Sequence, residues 1–157
     1  TAMCLRWLEH LVCPKMRVYD VGCGSGILSI AASKLGAGEI IAMDYDPVAV
    51  SVAEENIHKN GVHNVAVFES DLLTACAGAP PAELIIANII ADIIIRLFDQ
   101  LDCHLAPGGV LLASGIIDDR IVDVERAAAA HGYTVLDMTC EKEWAAMIIR
   151  RSSELGC

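Results

Sequence analysis

The sequence predicts an α/β fold: a doubly wound, mainly parallel seven-stranded sheet that ends in an antiparallel hairpin. Three observations predict it. Short apolar runs alternate with helical segments as far as His131, the pattern of a parallel sheet covered by helices. A glycine-rich turn, Asp20-Val21-Gly22-Cys23-Gly24-Ser25-Gly26, follows the first of those runs. Finally, two β-rich runs, Tyr133 to Cys140 and Trp144 to Arg150, are separated only by Glu141-Lys142-Glu143, too little chain for a crossover helix and enough for a hairpin. A plain dinucleotide-binding fold lacks that terminal pair.

The elements follow in order. Leu5, Leu8 and Val12 recur at helical spacing and predict a first helix over Ala2 to Val12, ended by Pro14. Strands are predicted at Arg17 to Val21, Glu39 to Asp44, Val65 to Glu69, Leu84 to Asn88 and Val110 to Ser114. Between them, helices are predicted at Ile27 to Lys34, Pro47 to Asn60, Asp92 to His104 and Asp119 to His131. Pro47 suits a first helical turn, and Asn60-Gly61 supplies a C-terminal stop. Ala106-Pro107-Gly108-Gly109 reads as a turn before the fifth strand.

Composition narrows the function classes. The 157 residues suffice for one domain with a sheet buried on both faces. Hydrophobic residues make up 55% and aromatic residues only 4%, so aliphatic side chains fill the core, as in parallel sheets. No apolar run reaches the roughly 18 residues of a membrane span, and no signal peptide opens the sequence. With 21 acidic against 11 basic residues, the formal net charge is −10; that argues against a broad phosphate-binding face and a direct nucleic-acid partner. The seven cysteines form no Cys-x-x-Cys pair and no histidine stands at zinc-finger spacing, so no metal site is expected, and reduced thiols in a cytoplasm are. A monomer is the expected state. The chain opens at Thr1, without Met, inside an apparent helix, and is read as a piece of a longer protein.

The glycine turn carries the chemistry. Gly22, Gly24 and Gly26 let backbone approach a ligand and turn into a helix whose first amides face it. A tight turn without a ligand is the bland alternative. A dinucleotide fingerprint needs its third glycine at position 27, which is Ile27. That mismatch disfavours nicotinamide and flavin cofactors. Asp20 instead suits a ligand with a positive amino group, such as the methionine portion of S-adenosylmethionine.

Three further residues stand at strand ends. Asp44 closes the second strand, where a carboxylate accepts hydrogen bonds from both ribose hydroxyls. The competing role, an exposed turn or helix-cap acid, falls better to Asp46 beside Pro47. Asp71, after the third strand, faces either an adenine amino group or solvent. Asn88 ends the apolar run Leu84-Ile85-Ile86-Ala87 at the carboxyl edge of the sheet, and its carboxamide offers acceptor and donors to a ligand or an N-cap to the next helix. Both roles can coexist. The histidines at 10, 58, 63, 104 and 131 fall at helix ends or in loops and receive no role.

The glycine segment resembles the first motif of class I methyltransferases. The longer string Val21 to Leu28, with Asn88-Ile89-Ile90-Ala91, Ser114-Gly115-Ile116 and Glu141-Lys142-Glu143-Trp144, resembles the PrmA family, bacterial methyltransferases of the large-subunit ribosomal protein L11. The likeness runs from Thr1 to about Arg151. It implies a Rossmann-like, S-adenosylmethionine-binding domain over residues 1–151, with Thr1, Gly22, Asp44 and Asn88 against the cofactor and Asn88 catalytic. Thr1 matches the last residue of a Gly-Thr-Gly-x-His-x-Thr-Thr segment in that family. The resemblance also implies a preceding substrate-recognition domain outside this chain, and residues 152–157 read as a frayed tail.

The implied reaction is in-line methyl transfer to a protein amine, which needs positioning and no metal. A lysine of pKa about 10.4 must be neutral to react, and no His or Glu stands out as its base. Asn88 with the Ile89 carbonyl is the expected pair that orients the nitrogen. The Asn-Pro-Pro-aromatic signature of amide and adenine methyltransferases is missing, because Ile89 and Ile90 stand in place of its prolines. Three rivals remain: a methyltransferase for a small molecule or another protein, a cofactor-binding module that performs no transfer by itself, and a nicotinamide-dependent oxidoreductase.

Overall fold

The computed structural model describes residues 1–154. Seven strands form one sheet in the order β3-β2-β1-β4-β5-β7-β6. β1 (Val18–Val21), β2 (Ile40–Asp44), β3 (Val65–Glu69), β4 (Ala82–Asn88) and β5 (Leu105–Ile117) run parallel. β6 (Tyr133–Glu141) and β7 (Trp144–Arg151) form the terminal hairpin, and β7 rather than β6 lies antiparallel against β5. The helices are α1 (Ala2–Leu11), α2 (Ile27–Lys34), α3 (Pro47–Lys59), α4 (Ala91–His104) and α5 (Ile121–Ala130).

Alternation along the strands divides the core. Ile85, Ala87, Leu111 and Ala113 face a cluster completed by Ile94, Leu97 and Phe98 of α4 and Val124 of α5. Leu84, Ile86 and Leu112 face the opposite side, against Cys4 and Leu8 of α1 and Leu28 and Ala32 of α2. Successive strand residues point to opposite faces, so a continuously apolar strand is one that needs helices on both. Each fully buried Leu or Ile contributes about 1.5–3 kcal/mol.

Local differences from the sequence reading have physical causes. β5 begins at Leu105, which pairs with Ala82, and resumes register at Val110 opposite Leu84. Ala106-Pro107-Gly108-Gly109 therefore loops out within the strand instead of preceding it. A Cβ on Gly109 would lie 2.8 Å from the Ala106 carbonyl and 3.0 Å from the Glu83 carbonyl, so the bulge closes only around glycine. The hairpin turn is Lys142-Glu143, since Glu141 already pairs with Trp144. Lys142 takes φ +54, a left-handed turn conformation with no Asn-Gly signal to announce it. The α5 segment opens with a tight 3-10 turn, Asp118–Arg120. Of the expected tail, Ser152–Glu154 form a 3-10 turn, and residues 155–157 lie outside the described residues. No described helix is long and apolar enough to cross a membrane.

Candidate active site

The carboxyl ends of β1, β2, β4 and β5 come together with the loop after β3 to form one edge of the sheet. β1 is buried along its whole length and passes into the glycine turn. Gly22 takes φ +68, and a Cβ there would press into Cγ2 of Ile89, so a side chain at this position would both strain the backbone and displace Ile89. Gly26, at φ +84, opens α2. The Gly24 N–H donates to Oδ2 of Asp44 at 2.9 Å, and Asn56 of α3 donates to the Ser25 carbonyl at 2.9 Å. The turn is thus tied to both β2 and α3.

Beside it lies a cavity of about 520 Å³, within the 300–1,000 Å³ typical of small-ligand sites. Val21, Gly22 and Met43 form its floor, and Leu72, Ile89 and Ile93 contribute apolar walls. Asp44, Tyr45, Ser70, Asp71 and Arg96 supply the polar groups. Asp44 Oδ1 also accepts from the Asp46 N–H at 3.0 Å, which leaves lone pairs on both oxygens unused. Capping of α3 falls to Asp46, whose Oδ1 accepts from the Val48 N–H at 2.9 Å. The loop bearing Asp71 is held by Ser70, which donates to the Leu72 carbonyl and accepts from the Ala75 N–H, each at 2.9 Å. Leu72 there adopts φ +53, an uncommon conformation for a branched apolar residue.

A second cavity of about 330 Å³ lies across the β4 end, lined by Thr1, Met3, Asn88, Ser114, Gly115 and Trp144 among others. Asn88 Nδ2 stands 3.4 Å from Thr1 Oγ1. A Cβ on Gly115 would sit 2.9 Å from the Ile89 carbonyl oxygen and 3.3 Å from Asn88 Oδ1. The missing side chain therefore leaves a point in space at hydrogen-bonding distance from two acceptors. The Ile89 N–H donates to the Ser114 carbonyl at 3.1 Å, which fixes this segment to β5. Ile89 lines the first cavity and its neighbour Asn88 the second, so the two adjoin along residues 88–89.

Asp20 is not on either cavity wall. It is only 1% exposed, beneath the turn, and accepts from Ser29 Oγ at 2.7 Å. Burial pushes its carboxyl up to about 7, opposed by the Ser29 hydrogen bonds, with the Asp44 charge adding to the rise. Burial together with the Asp20 and Asp44 carboxylates pushes the Cys23 thiol up to about 12, so it stays protonated and packs as an apolar group. Asn88 does not cap α4. The N-cap is Ile90, because β4 needs two more residues to leave the sheet before the helix turns.

The structure thus brings Gly22, Asp44 and Asp71 to the first cavity and Thr1 and Asn88 to the second, with Gly24 and Gly26 in the turn between β1 and α2. Several lining residues escape sequence reasoning. Tyr45 had a positional signal, standing directly after Asp44 at the same edge. Arg96 had only its place one turn after Ile93 on α4, and Gly115 stood in the Ser114-Gly115-Ile116 segment of the resemblance without a role of its own.

A parallel sheet extended by an inserted antiparallel strand, with a glycine turn after β1 and an acid after β2, is the class I, Rossmann-like methyltransferase fold. Residues 1–152 match the family of ribosomal protein L11 methyltransferases (PrmA), and the chain belongs to that family. A relative named ribosomal protein L11 methyltransferase, from Caldanaerobacter subterraneus subsp. tengcongensis, is 50% identical over 151 residues, covering 96% of this chain and 48% of the relative. The chain spans about half the length of the curated relatives it matches. The crystal structure of a ribosomal protein L11 methylase from Lactobacillus delbrueckii subsp. bulgaricus superposes with a TM-score of 0.88 at 35% identity, covering 96% of this chain and 78% of that one. A precorrin-6y C5,15-methyltransferase from Geobacter metallireducens shares the fold at a TM-score of 0.80 and 20% identity, covering 94% and 84%.

Proposed function

We propose that this chain is the S-adenosylmethionine-binding, catalytic domain of a protein methyltransferase acting on amino groups of ribosomal protein L11, on lysine side chains or the N-terminal amine. The observation that carries the proposal is the pair of acceptors, Asn88 Oδ1 and the Ile89 carbonyl, converging above Gly115 at the seam of two cavities. Such a point suits a nitrogen whose hydrogens must be held while its lone pair is aimed. Membership of the family over residues 1–152 supports the ribosomal substrate. The relatives' greater length supports a preceding domain for substrate recognition.

The residues of the first cavity suit S-adenosylmethionine. Asp44 has free lone pairs for a ribose diol, Asp71 an acceptor for an exocyclic amine, and the apolar walls a face for the base. The glycine turn allows backbone to approach the methionine portion. Asp20 beneath it, its carboxyl pushed by burial up to about 7, adds a negative potential in its deprotonated form, which favours a cationic ligand. When bound, S-adenosylmethionine supplies a methyl group on a positively charged sulfur that leaves as the nitrogen attacks. Thr1 steadies the Asn88 carboxamide, so that Oδ1 faces the amine. Half-exposed Trp144, on the wall of the second cavity, strips water from the acceptor's stem, which favours the neutral, reactive amine. The released proton leaves through the open second cavity.

Titration calorimetry tests the cofactor: S-adenosylhomocysteine is expected to bind and NAD is not, and the reverse result defeats the proposal. Incubation with labelled S-adenosylmethionine and purified L11 tests the substrate, using this chain and the longer protein in parallel. Label on L11 with the longer protein alone identifies a cofactor module that needs its preceding domain. No label with either leaves a class I methyltransferase with another acceptor.

A further inference from the structure

We propose that Arg96 and Asp71 read the amino edge of the adenine base together, Arg96 being the donor that selects a 6-aminopurine over a 6-oxopurine. This rests on the reading of the first cavity as the S-adenosylmethionine site, and it adds a base-specificity residue to it.

The two side chains come from opposite walls, Asp71 from the loop after β3 and Arg96 from α4 one turn beyond Ile93. One terminal nitrogen of Arg96 stands 3.4 and 3.5 Å from the two Asp71 oxygens. Charge-assisted pairs at full strength close to about 2.7–2.9 Å, so this pair is loose. Both side chains are about half exposed, 55% and 56%, where an ion pair adds little to fold stability. Its geometry therefore points to a ligand. Among the described residues lining the cavity, Arg96 is the one cation. The guanidinium carries five N–H donors, and the pairing with Asp71 engages a single nitrogen. Ser70, the other polar group nearby, has its hydroxyl committed within its own loop.

The result is an acceptor beside a donor, about one hydrogen-bond length apart, in a largely apolar cavity. Adenine presents the complement: a six-amino donor next to the N1 acceptor. A 6-oxopurine inverts both, offering a carbonyl oxygen to the carboxylate and an N1–H to the guanidinium. Like would then face like, and a polar site rejects an analogue that leaves its groups unpaired far more strongly than an apolar one does.

Calorimetry with S-adenosylhomocysteine and its deaminated counterpart, S-inosylhomocysteine, tests this in the unaltered chain, Arg96→Ala and Arg96→Lys. The unaltered chain is expected to prefer the adenosyl compound. Arg96→Ala is expected to bind it roughly tenfold more weakly, one hydrogen bond's worth, and to lose part of the preference, the Asp71 carboxylate keeping the rest, with an unchanged melting temperature. Arg96→Lys, which keeps a donor, is expected to recover part of both. An undiminished preference in Arg96→Ala overturns the role given to Arg96 while the cofactor site stands. No binding of S-adenosylhomocysteine by the unaltered chain overturns both together.

Discussion

Asp20 shows how far a single residue's meaning depends on its depth. In sequence it is an acid leading a glycine turn, and the expectation of a contact with the ligand's amino group was reasonable. In the structure it lies beneath that turn, held by the hydroxyl and backbone amide of Ser29. Its folded carboxyl, near 7, stands above the ordinary 3.8. The folded state thus binds a proton that the unfolded chain releases, and stability falls as pH rises from about 4 to about 7, then levels. Asp20→Asn is expected to flatten that slope, of which about 3 kcal/mol falls between pH 5 and pH 8; urea unfolding at those two pH values measures it. Asp44 stands where its strand end puts it, on the wall of the first cavity. Asp44→Ala is expected to weaken S-adenosylhomocysteine binding at least tenfold, read by calorimetry. It also frees the Gly24 N–H, so the loss includes some disorder of the turn. Arg96 was invisible in the sequence, since nothing in a helical repeat announces which exposed cation overhangs a cavity.

Among the elements, the strands were legible and their joints were not. Four-residue apolar runs such as Leu84 to Ala87 permit little but a buried strand, and β3 and α2 fall on the expected residues. The bulge at Ala106 to Gly109 and the two-residue turn at Lys142-Glu143 depend on partners across the sheet, which local sequence does not contain. The glycine turn permits a graded test. Gly22→Ala presses a Cβ into Ile89 in a left-handed conformation. It is expected to cost about 1–3 kcal/mol and to abolish cofactor binding by displacing the wall at residues 88–89. Gly24→Ala meets nothing within 4 Å and carries only the conformational cost of about 1 kcal/mol. Equal effects in thermal unfolding would contradict this ranking. Gly115→Ala differs again: it is expected to leave cofactor affinity intact while eliminating methyl transfer, because its Cβ fills the space between the Ile89 and Asn88 acceptors.

Across the whole molecule, the edge opposite the cavities is fastened by side chains far apart in sequence. The Tyr133 hydroxyl donates to Asp102 at 2.6 Å, and Arg151 donates to the carbonyls of Asp102 and Leu105 at 3.0 and 2.8 Å while lying over the Tyr133 ring. Phe98 packs against both His131 and Tyr133. Phe98→Ala is expected to destabilise by about 3–5 kcal/mol, and Tyr133→Phe by about 1 kcal/mol, with cofactor affinity unchanged in both when measured well below the melting temperature. A fall in affinity that tracks stability would mean that the two edges are not independent.

The order β5-β7-β6 has a consequence for how such a chain is made. The last of the described strands to leave the ribosome, Trp144–Arg151, is an interior one, with β5 on one side and β6 on the other. Until it emerges, β5 keeps a raw apolar margin and β6 has no neighbour, so a nascent chain halted before residue 144 holds half its sheet in waiting. Unpaired strand margins are what chaperones cover and aggregates exploit. Completion of this sheet therefore waits until residues 144–151 have emerged.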